Sequence, residues 1–195
     1  MLKKLAMTVF QDIQAGTIPA RLTVNEVYAL TEAGVFHENE NFELIEGEIV
    51  PMAAAKANWH EIMKSRLTRA LVFSLPDHAR LFVEPSVTLA PDMLVEPDLA
   101  AWRKGGLPRE MRGTDLLLVV EVSDSSIGYD LRVKAPIYAR HGVRDYWVVD
   151  AVRQTIRVHR EPAGGAYRDV QEFEAHDRVP ALLMPEVVIR LEDLD

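Results

Sequence analysis

The chain has 195 residues, of which 48% are hydrophobic and 27% are charged, and its formal net charge is −8. This length and composition are typical of a globular protein with one sizeable core, and they leave little room for two full domains. The lack of cysteine excludes a disulfide framework, a thiolate zinc site and a cysteine nucleophile, and the acidic balance argues against a protein that coats nucleic acid through Lys and Arg.

No apolar run approaches the roughly 20 residues that span a bilayer. Residues 1–10 lack the continuous apolar core of a secretion signal. We therefore expect a cytoplasmic protein with no membrane partner. Residues 1–22 show no clear hydrophobic period and are predicted to form an N-terminal extension, which is followed by a single domain over residues 23–195.

A capping box opens the first predicted helix. In Thr23-Val-Asn-Glu26 the Thr and Glu side chains can satisfy the first free amides of a helix, which is expected to end near Gly34. The segment Phe42-Glu-Leu-Ile-Glu-Gly-Glu-Ile-Val50 then predicts a strand or a hairpin, with a turn or bulge at Gly47.

The middle of the chain contains the longest helical pattern. Apolar residues recur at spacings near 3.6 over residues 53–75, and Pro76 closes this predicted helix. Residues 81–89 alternate like a strand, and residues 102–114 are predicted to form a loop. That loop carries four basic residues: Arg103, Lys104, Arg109 and Arg112.

A central strand is predicted at residues 116–120. Five consecutive aliphatic side chains there are too apolar on both faces for a half-solvated strand. Glu121 follows, between Val120 and Val122. A carboxylate that loses water in this position needs a cation, a hydrogen-bond donor or a proton. The alternative is that Glu121 lies at an exposed strand end and meets solvent.

The remaining elements predict a mixed α/β sheet. A helix is expected over residues 130–140, with Asp130 as its N-cap, Gly142 at its stop, and Pro136 either kinking it or marking its first turn. Further strands are predicted at residues 145–150, 155–159, 167–173 and 187–191. This order indicates a single-domain mixed sheet flanked by helices, with at least one crossover helix.

Two acids lie beside consecutive predicted strands. Asp98, in the dipeptide Pro97-Asp98, and Glu121 can converge at one end of the sheet if those strands pair. Oxygen ligands without His or Cys favour Mg²⁺, Mn²⁺ or Ca²⁺ over zinc. A lysine nearby would complete a hydrolytic site, because it can orient the attacking water or offset charge that develops on a phosphorane-like transition state.

The order of several motifs resembles the Uma-two family, which consists of restriction-endonuclease-like proteins of the PD-(D/E)XK nuclease superfamily. The motifs are Pro97-Asp98, Glu121-Val122, Lys134-Ala-Pro136-Ile-Tyr138 and Gly142-Val-Arg-Asp-Tyr-Trp-Val-Val-Asp150, with Phe42-Glu-Leu-Ile-Glu-Gly-Glu48 and His60 upstream. The resemblance covers roughly residues 20–170. It implies a restriction-endonuclease-like fold for this chain.

The resemblance also implies a set of site residues. Asp98 and Glu121 match the metal-binding acids, with the carbonyl of Val122 beside them and Glu48 as an additional acid. The superfamily pattern has Lys two residues after the Glu, where this chain has Ser123, and Lys134 matches the position from which the Uma-two family supplies its lysine. Two residues are accessory candidates: His60 and Glu46.

We therefore expect a Mg²⁺- or Mn²⁺-dependent endonuclease that hydrolyses phosphodiester bonds of DNA. The acidic net charge does not exclude such an enzyme, since clustered metal-binding carboxylates add negative charge and one basic groove can coexist with them. A homodimer is expected, because double-strand cleavage needs two sites. The alternatives are a catalytically inactive nuclease-fold module that binds nucleic acid or protein, and a phosphohydrolase acting on small nucleotides.

Overall fold

The computed structural model describes residues 9–18, 21–36, 41–52, 57–105 and 110–194. The chain divides into two compact units, the first formed by Met1–Ala55 with Thr88–Val95 and the second by Lys56–Val87 with Glu96–Asp195. The division predicted at residue 23 stays a prediction. Among the described helices none has the length and apolar character needed to cross a membrane.

The first unit contains two helices and a four-stranded sheet. The helices are α1 (Val9–Gln14) and α2 (Val24–Glu32), and the strands, numbered along the whole chain, are β1 (Phe42–Ile45), β2 (Glu48–Pro51), β4 (Val87–Ala90) and β5 (Met93–Val95), in the order β2-β1-β5-β4. A small core joins them, formed by Ile18, Leu22, Val24, Val27, Phe36, Leu44 and Leu94.

Both local motifs predicted for this unit are confirmed. Thr23 caps α2 and forms the capping box, with its backbone N–H donating to the Glu26 carboxylate at 2.7 Å. Strands β1 and β2 pair as an antiparallel hairpin. Its turn places Glu46 and Gly47 at φ 50° and 81°, the left-handed pair that a tight hairpin turn requires.

The second unit is built on a six-stranded mixed sheet. Its strands are β3 (Ala79–Val83), β6 (Leu99–Arg103), β7 (Leu116–Ser123), β8 (Asp145–Asp150), β9 (Thr155–Ala163) and β10 (Ala166–Phe173), in the order β10-β9-β8-β7-β6-β3. Only β7 and β8 run parallel within this sheet, and the other neighbours are antiparallel. The short strands β11 (Val179–Ala181) and β12 (Met184–Ile189) form a separate pair.

Helix α3 (Asn58–Ser74) packs against β3, β7 and β12. Its buried apolar side chains, Met63, Leu67 and Leu71, belong to the core of the second unit. The predicted end before Pro76 is confirmed, whereas the predicted start at Ala53 lies outside the described residues. Arg109 of the predicted basic loop also lies outside them, and Arg103 belongs to β6 rather than to the loop.

Two strand predictions need correction. The alternating residues 81–89 form not one strand but two, β3 and β4, which lie in different sheets. The alternation of apolar and polar residues does not reveal the break between the two strands, where Glu84 adopts a left-handed φ of 49°. The terminal strand is β12, which ends at Ile189, and a 3-10 turn, Leu191–Asp193, follows it.

The central strand is β7, as the sequence predicts. All eight of its residues are buried, because α3 packs on one face of the sheet and the β7–β8 crossover supplies groups to the other. Glu121 is only 3% exposed, so the alternative of a solvated strand end is wrong.

The crossover between β7 and β8 is an interrupted helix. It comprises α4 (Ile127–Tyr129), a π-helical turn (Asp130–Lys134) and α5 (Ala135–Arg140). Pro136 has no N–H to donate to the carbonyl four residues back, and the wider turn is closed by the Ala135 N–H bonding to the Asp130 carbonyl. Of the two outcomes expected for Pro136, the structure shows the second, since Pro136 lies in the first turn of α5. Asp130 is not an N-cap, since the helix begins at Ile127.

A buried histidine of β9 lies in an aromatic cluster formed by residues of β8, β9 and β10. His159 is 5% exposed, and its ring lies 5.3 Å from Tyr146 and 5.5 Å from Tyr167. Its Nδ1 has no hydrogen-bond partner among the described residues. Burial lowers the pKa of His159 from 6.5 to about 4, so the ring is neutral at neutral pH.

We predict that His159 makes the fold acid-labile. Between pH 6.5 and 4 the unfolded chain takes up a proton at this residue and the folded chain does not, so the free energy of unfolding falls by up to about 3 kcal/mol as the pH drops. Urea unfolding of His159→Phe should show a correspondingly flatter profile over this range. The control is His176→Phe at an exposed position, and an equal acid loss in wild type and His159→Phe would contradict the prediction.

Candidate active site

Two acids meet at one end of the β6–β7 pair. Leu99 of β6 lies opposite Val120 of β7, and Asp98 and Glu121 are the next residues beyond that pair. Asp98 Oδ2 accepts a hydrogen bond from the Val122 N–H at 2.8 Å, which fixes its carboxylate beside β7. Both acids are buried, at 7% and 3% exposure. The convergence expected from pairing of these strands is therefore present in the structure.

The Glu121 carboxylate is held from the crossover helix. Lys134 Nζ donates to Glu121 Oε1 at 3.0 Å, and the Tyr138 hydroxyl donates to the same oxygen at 2.9 Å. Lys134 is 6% exposed and Tyr138 is fully buried. The structure thus brings Lys134 to Glu121, although its catalytic role stays a prediction.

The Asp98 carboxylate is held from the opposite helix, α3. His60 Nε2 lies 3.0 Å from Asp98 Oδ1, and His60 Nδ1 lies 3.0 Å from Glu61 Oε1. Ionised carboxylates only accept hydrogen bonds, so both contacts are hydrogen bonds when the imidazole carries both protons. The accessory candidate His60 is therefore placed at the site by direct contact with Asp98.

A second lysine extends this arrangement. Lys64, one turn after His60, contacts Glu61 at 2.9 Å and Glu84 at 2.7 Å, and the Glu84 N–H donates to the Asp98 carbonyl at 2.9 Å. Burial by itself lowers the pKa of Lys64, but the hydrogen bonds and charges of the two glutamates outweigh it and raise that pKa above its usual range. The hydrogen bond from Lys64 in turn lowers the pKa of Glu61. The side chain and the backbone of Asp98 are thus joined in one ring of polar contacts.

A third acid lies beside the lysine. Asp130 is 4% exposed and accepts hydrogen bonds from Ser123 Oγ at 2.6 Å and Ser126 Oγ at 2.9 Å. Burial raises the pKa of Asp130, the charge of Lys134 lowers it and that of Asp98 raises it. These three charges therefore influence one another within one site.

Sequence reasoning missed the contributions of Asp130 and Tyr138, although a signal was present. Asp130, Lys134 and Tyr138 recur at intervals of four, which places them along one face of a helix. Ser123 lies two residues after Glu121 and therefore on the same face of β7. The partnership of Lys64 with Glu84 has no such signal, because it joins residues 20 positions apart in different elements.

The remaining predicted site residues lie in the first unit. Glu48 is exposed on β2 and pairs with Arg21 at 2.8 Å. Glu46 lies in the hairpin turn, where its carbonyl accepts a hydrogen bond from Arg21. The structure does not test whether either glutamate acts together with Asp98 and Glu121, so their roles stay predictions.

The donor set suits a hard divalent ion. Asp98 and Glu121 offer carboxylate oxygens beside the backbone of Val122, and Mg²⁺ is often bound by one or two carboxylates while it keeps several waters. Within the described ranges no group of three or more His, Cys, Asp or Glu side chains is arranged to hold a metal. The described residues therefore fit a site in which two carboxylates and several water molecules would bind the ion.

Comparison with known proteins identifies a family and a fold. The family model described as "Uma2: Putative restriction endonuclease" matches residues 24–192. A crystal structure described as "a putative nuclease belonging to DUF820", from Anabaena variabilis ATCC 29413, has a TM-score of 0.68 and 20% identity over 88% of this chain and 96% of that chain. This likeness shows a common fold and confirms the predicted fold class.

Two further comparisons add less. The type IIG restriction endonuclease BpuSI has a TM-score of 0.38 and 19% identity, over 56% of this chain and 12% of that chain. No curated protein matches the chain.

We predict that Glu121 and Lys134 stabilise the fold as a pair. Glu121→Gln or Lys134→Met leaves one buried group without its partner, and each should lower the free energy of unfolding by about 3 kcal/mol. The double variant should lose less than the sum, as measured by urea unfolding at pH 7.

The matched control is the partly exposed pair Arg157–Glu172 on β9 and β10. Arg157→Met and Glu172→Gln should each lower the free energy of unfolding by less than about 1 kcal/mol. Strictly additive losses for Glu121→Gln and Lys134→Met would contradict the buried pairing.

Proposed function

The chain belongs to the Uma2 family, as its motifs predict, and on that premise we propose that it is a Mg²⁺- or Mn²⁺-dependent endonuclease that hydrolyses phosphodiester bonds of DNA. The observation that carries the proposal is the placement of Lys134 against Glu121, beside Asp98. Two acids and one amine from three separate segments come together at one end of the sheet, which is the constellation that such hydrolysis needs.

The acids supply the site for the ion. Asp98, Glu121 and the carbonyl of Val122 would hold it. A bound divalent ion offsets negative charge on the phosphate and makes water more acidic. The Val122 N–H and His60 keep the Asp98 carboxylate in place from two sides, so its orientation is set by the fold before an ion or substrate is present.

Lys134 supplies the positive charge. Its ammonium lies 3.0 Å from Glu121 in a position where almost no solvent reaches it, and electrostatic effects are stronger there than in water. We assign to it the orientation of the attacking water and the stabilisation of charge that develops on the phosphoryl oxygens. Tyr138 shares the Glu121 oxygen and so limits where the carboxylate can turn.

The polymer substrate and the assembly are part of the same proposal. The family description names an endonuclease, which favours a nucleic-acid chain over a small nucleotide. Cleavage of both strands of a duplex requires two such sites, and a homodimer would supply them.

A second candidate is a nuclease-fold module that binds nucleic acid or protein without cleaving it. Two donors, Lys134 and Tyr138, already occupy one oxygen of Glu121, and the described part of the chain contains no three-residue metal cluster. Calorimetric titration with Mn²⁺ separates the two candidates, because a catalytic site must bind the ion and a module of this kind need not.

We predict that Glu121→Gln and Lys134→Met each lower Mg²⁺-dependent nicking of supercoiled plasmid by at least about a hundredfold, since each removes a group that acts on the transition state. Initial rates should be measured with folded protein at a temperature well below the unfolding midpoint of each variant. EDTA should abolish the wild-type activity.

Arg157→Met and Glu172→Gln serve as matched charge-removal controls on β9 and β10, two and three strands from β7, and should cleave at the wild-type rate. Undiminished nicking by both purified site variants would refute the assignment. Plasmid cleavage that persists in EDTA would refute the requirement for the ion.

A further inference from the structure

The end of β7 is tied to the crossover helix by one buried contact. Ser123 is fully buried, and its hydroxyl donates to Asp130 Oδ2 at 2.6 Å. Ser123 lies on the same face of β7 as Glu121, and Asp130 lies one helical turn before Lys134. The strand that carries the acid is therefore joined to the helix that carries the amine by a contact separate from the Glu121–Lys134 pair itself.

Asp130 accepts hydrogen bonds from four donors. Besides Ser123, the Ser126 hydroxyl donates to its carboxylate at 2.9 Å. Its backbone carbonyl accepts from the Tyr146 hydroxyl of β8 at 3.1 Å and from the Ala135 N–H that closes the π-helical turn. The turn is thus anchored to both parallel strands, β7 and β8, at the residue where its hydrogen bonding departs from the α-helical pattern.

The width of the anchored turn bears on the direction of the Lys134 side chain. Each residue of a helix advances the side-chain direction by about 100°, so a change of one residue in the width of the turn would move Lys134 away from Glu121. The pattern changes from α-helix to a π-helical turn and back within Ile127–Tyr129, Asp130–Lys134 and Ala135–Arg140, and Pro136 lacks the N–H that would continue α-helical bonding after that turn. A fixed contact between Asp130 and β7 would hold the turn at the observed width, at which Lys134 Nζ lies 3.0 Å from Glu121 Oε1.

We propose that Asp130, together with Ser123, is a positioning residue that sets the direction of Lys134 toward Glu121. The proposal rests on the proposed function, because it concerns how the amine of that site is placed. In this role Asp130 and Ser123 act on the reaction through the placement of Lys134. A merely structural hydroxyl–carboxylate contact would affect stability alone, whereas a positioning contact must act through Lys134.

The test is a double-mutant cycle on plasmid nicking. Ser123→Ala and Asp130→Asn should each lower kcat by about tenfold to a hundredfold with KM little changed, because displacement of a reacting group by about 1 Å has effects of this size. In the Lys134→Met background neither substitution should lower kcat further. Equal fold losses in both backgrounds would overturn the proposal, as would wild-type kcat in both single variants.

Ser126→Ala is the matched control. Ser126 donates to the same oxygen of Asp130, but it lies in the turn before α4 and makes no tie to β7 through this contact. Its removal should leave kcat close to the wild-type value.

A second measurement, of unfolding, tests the positioning role of Asp130 and Ser123 independently of the proposed nuclease activity. Should the wild type cleave no phosphodiester substrate, the proposed function fails, and the inference is decided by the unfolding cycle for Glu121→Gln and Lys134→Met. The coupling measured in that cycle should fall by more than half in the Ser123→Ala background. An unchanged coupling would overturn the proposal.

Discussion

A buried negative charge within the central strand is the constraint on which the rest of the site depends. Glu121 lies in a strand whose other residues are apolar except for Ser123, and the strand is covered on both faces. A carboxylate without water must be matched by donors or a cation, and the chain supplies both from one helix, through Lys134 and Tyr138. The direction of the β7–β8 crossover is therefore tied to an electrostatic requirement as well as to apolar packing.

The neighbouring acid is stabilised by a separate set of contacts. Asp98 is reached from α3 through His60 and from β7 through the Val122 N–H, while Glu121 is reached from the crossover. The two carboxylates thus have independent supports on different elements of the second unit. Loss of one support need not displace the other acid, which gives the site the rigidity that a preorganised electrostatic environment requires.

Much of this unit follows from local patterns in the sequence. Five aliphatic residues before Glu121 identify the buried strand, and the motif order points to Asp98 and Lys134. The interval of four from Asp130 to Lys134 to Tyr138 also marks one helix face, but it does not say that Pro136 widens the turn between them. Contacts between distant segments stay hidden, as with Lys64 and Glu84, because nothing in either local sequence specifies the partner.

The polar ring around Asp98 and the lysine beside Glu121 have a consequence for how the chain folds. Each acid faces a nitrogen-bearing side chain of the same polypeptide, so the mutual repulsion of the carboxylates is relieved internally. Folding then does not wait for a divalent cation, in contrast to small domains whose structure forms only around a metal. At these two acids the chain therefore needs no counter-charge from outside the polypeptide in order to reach its native arrangement.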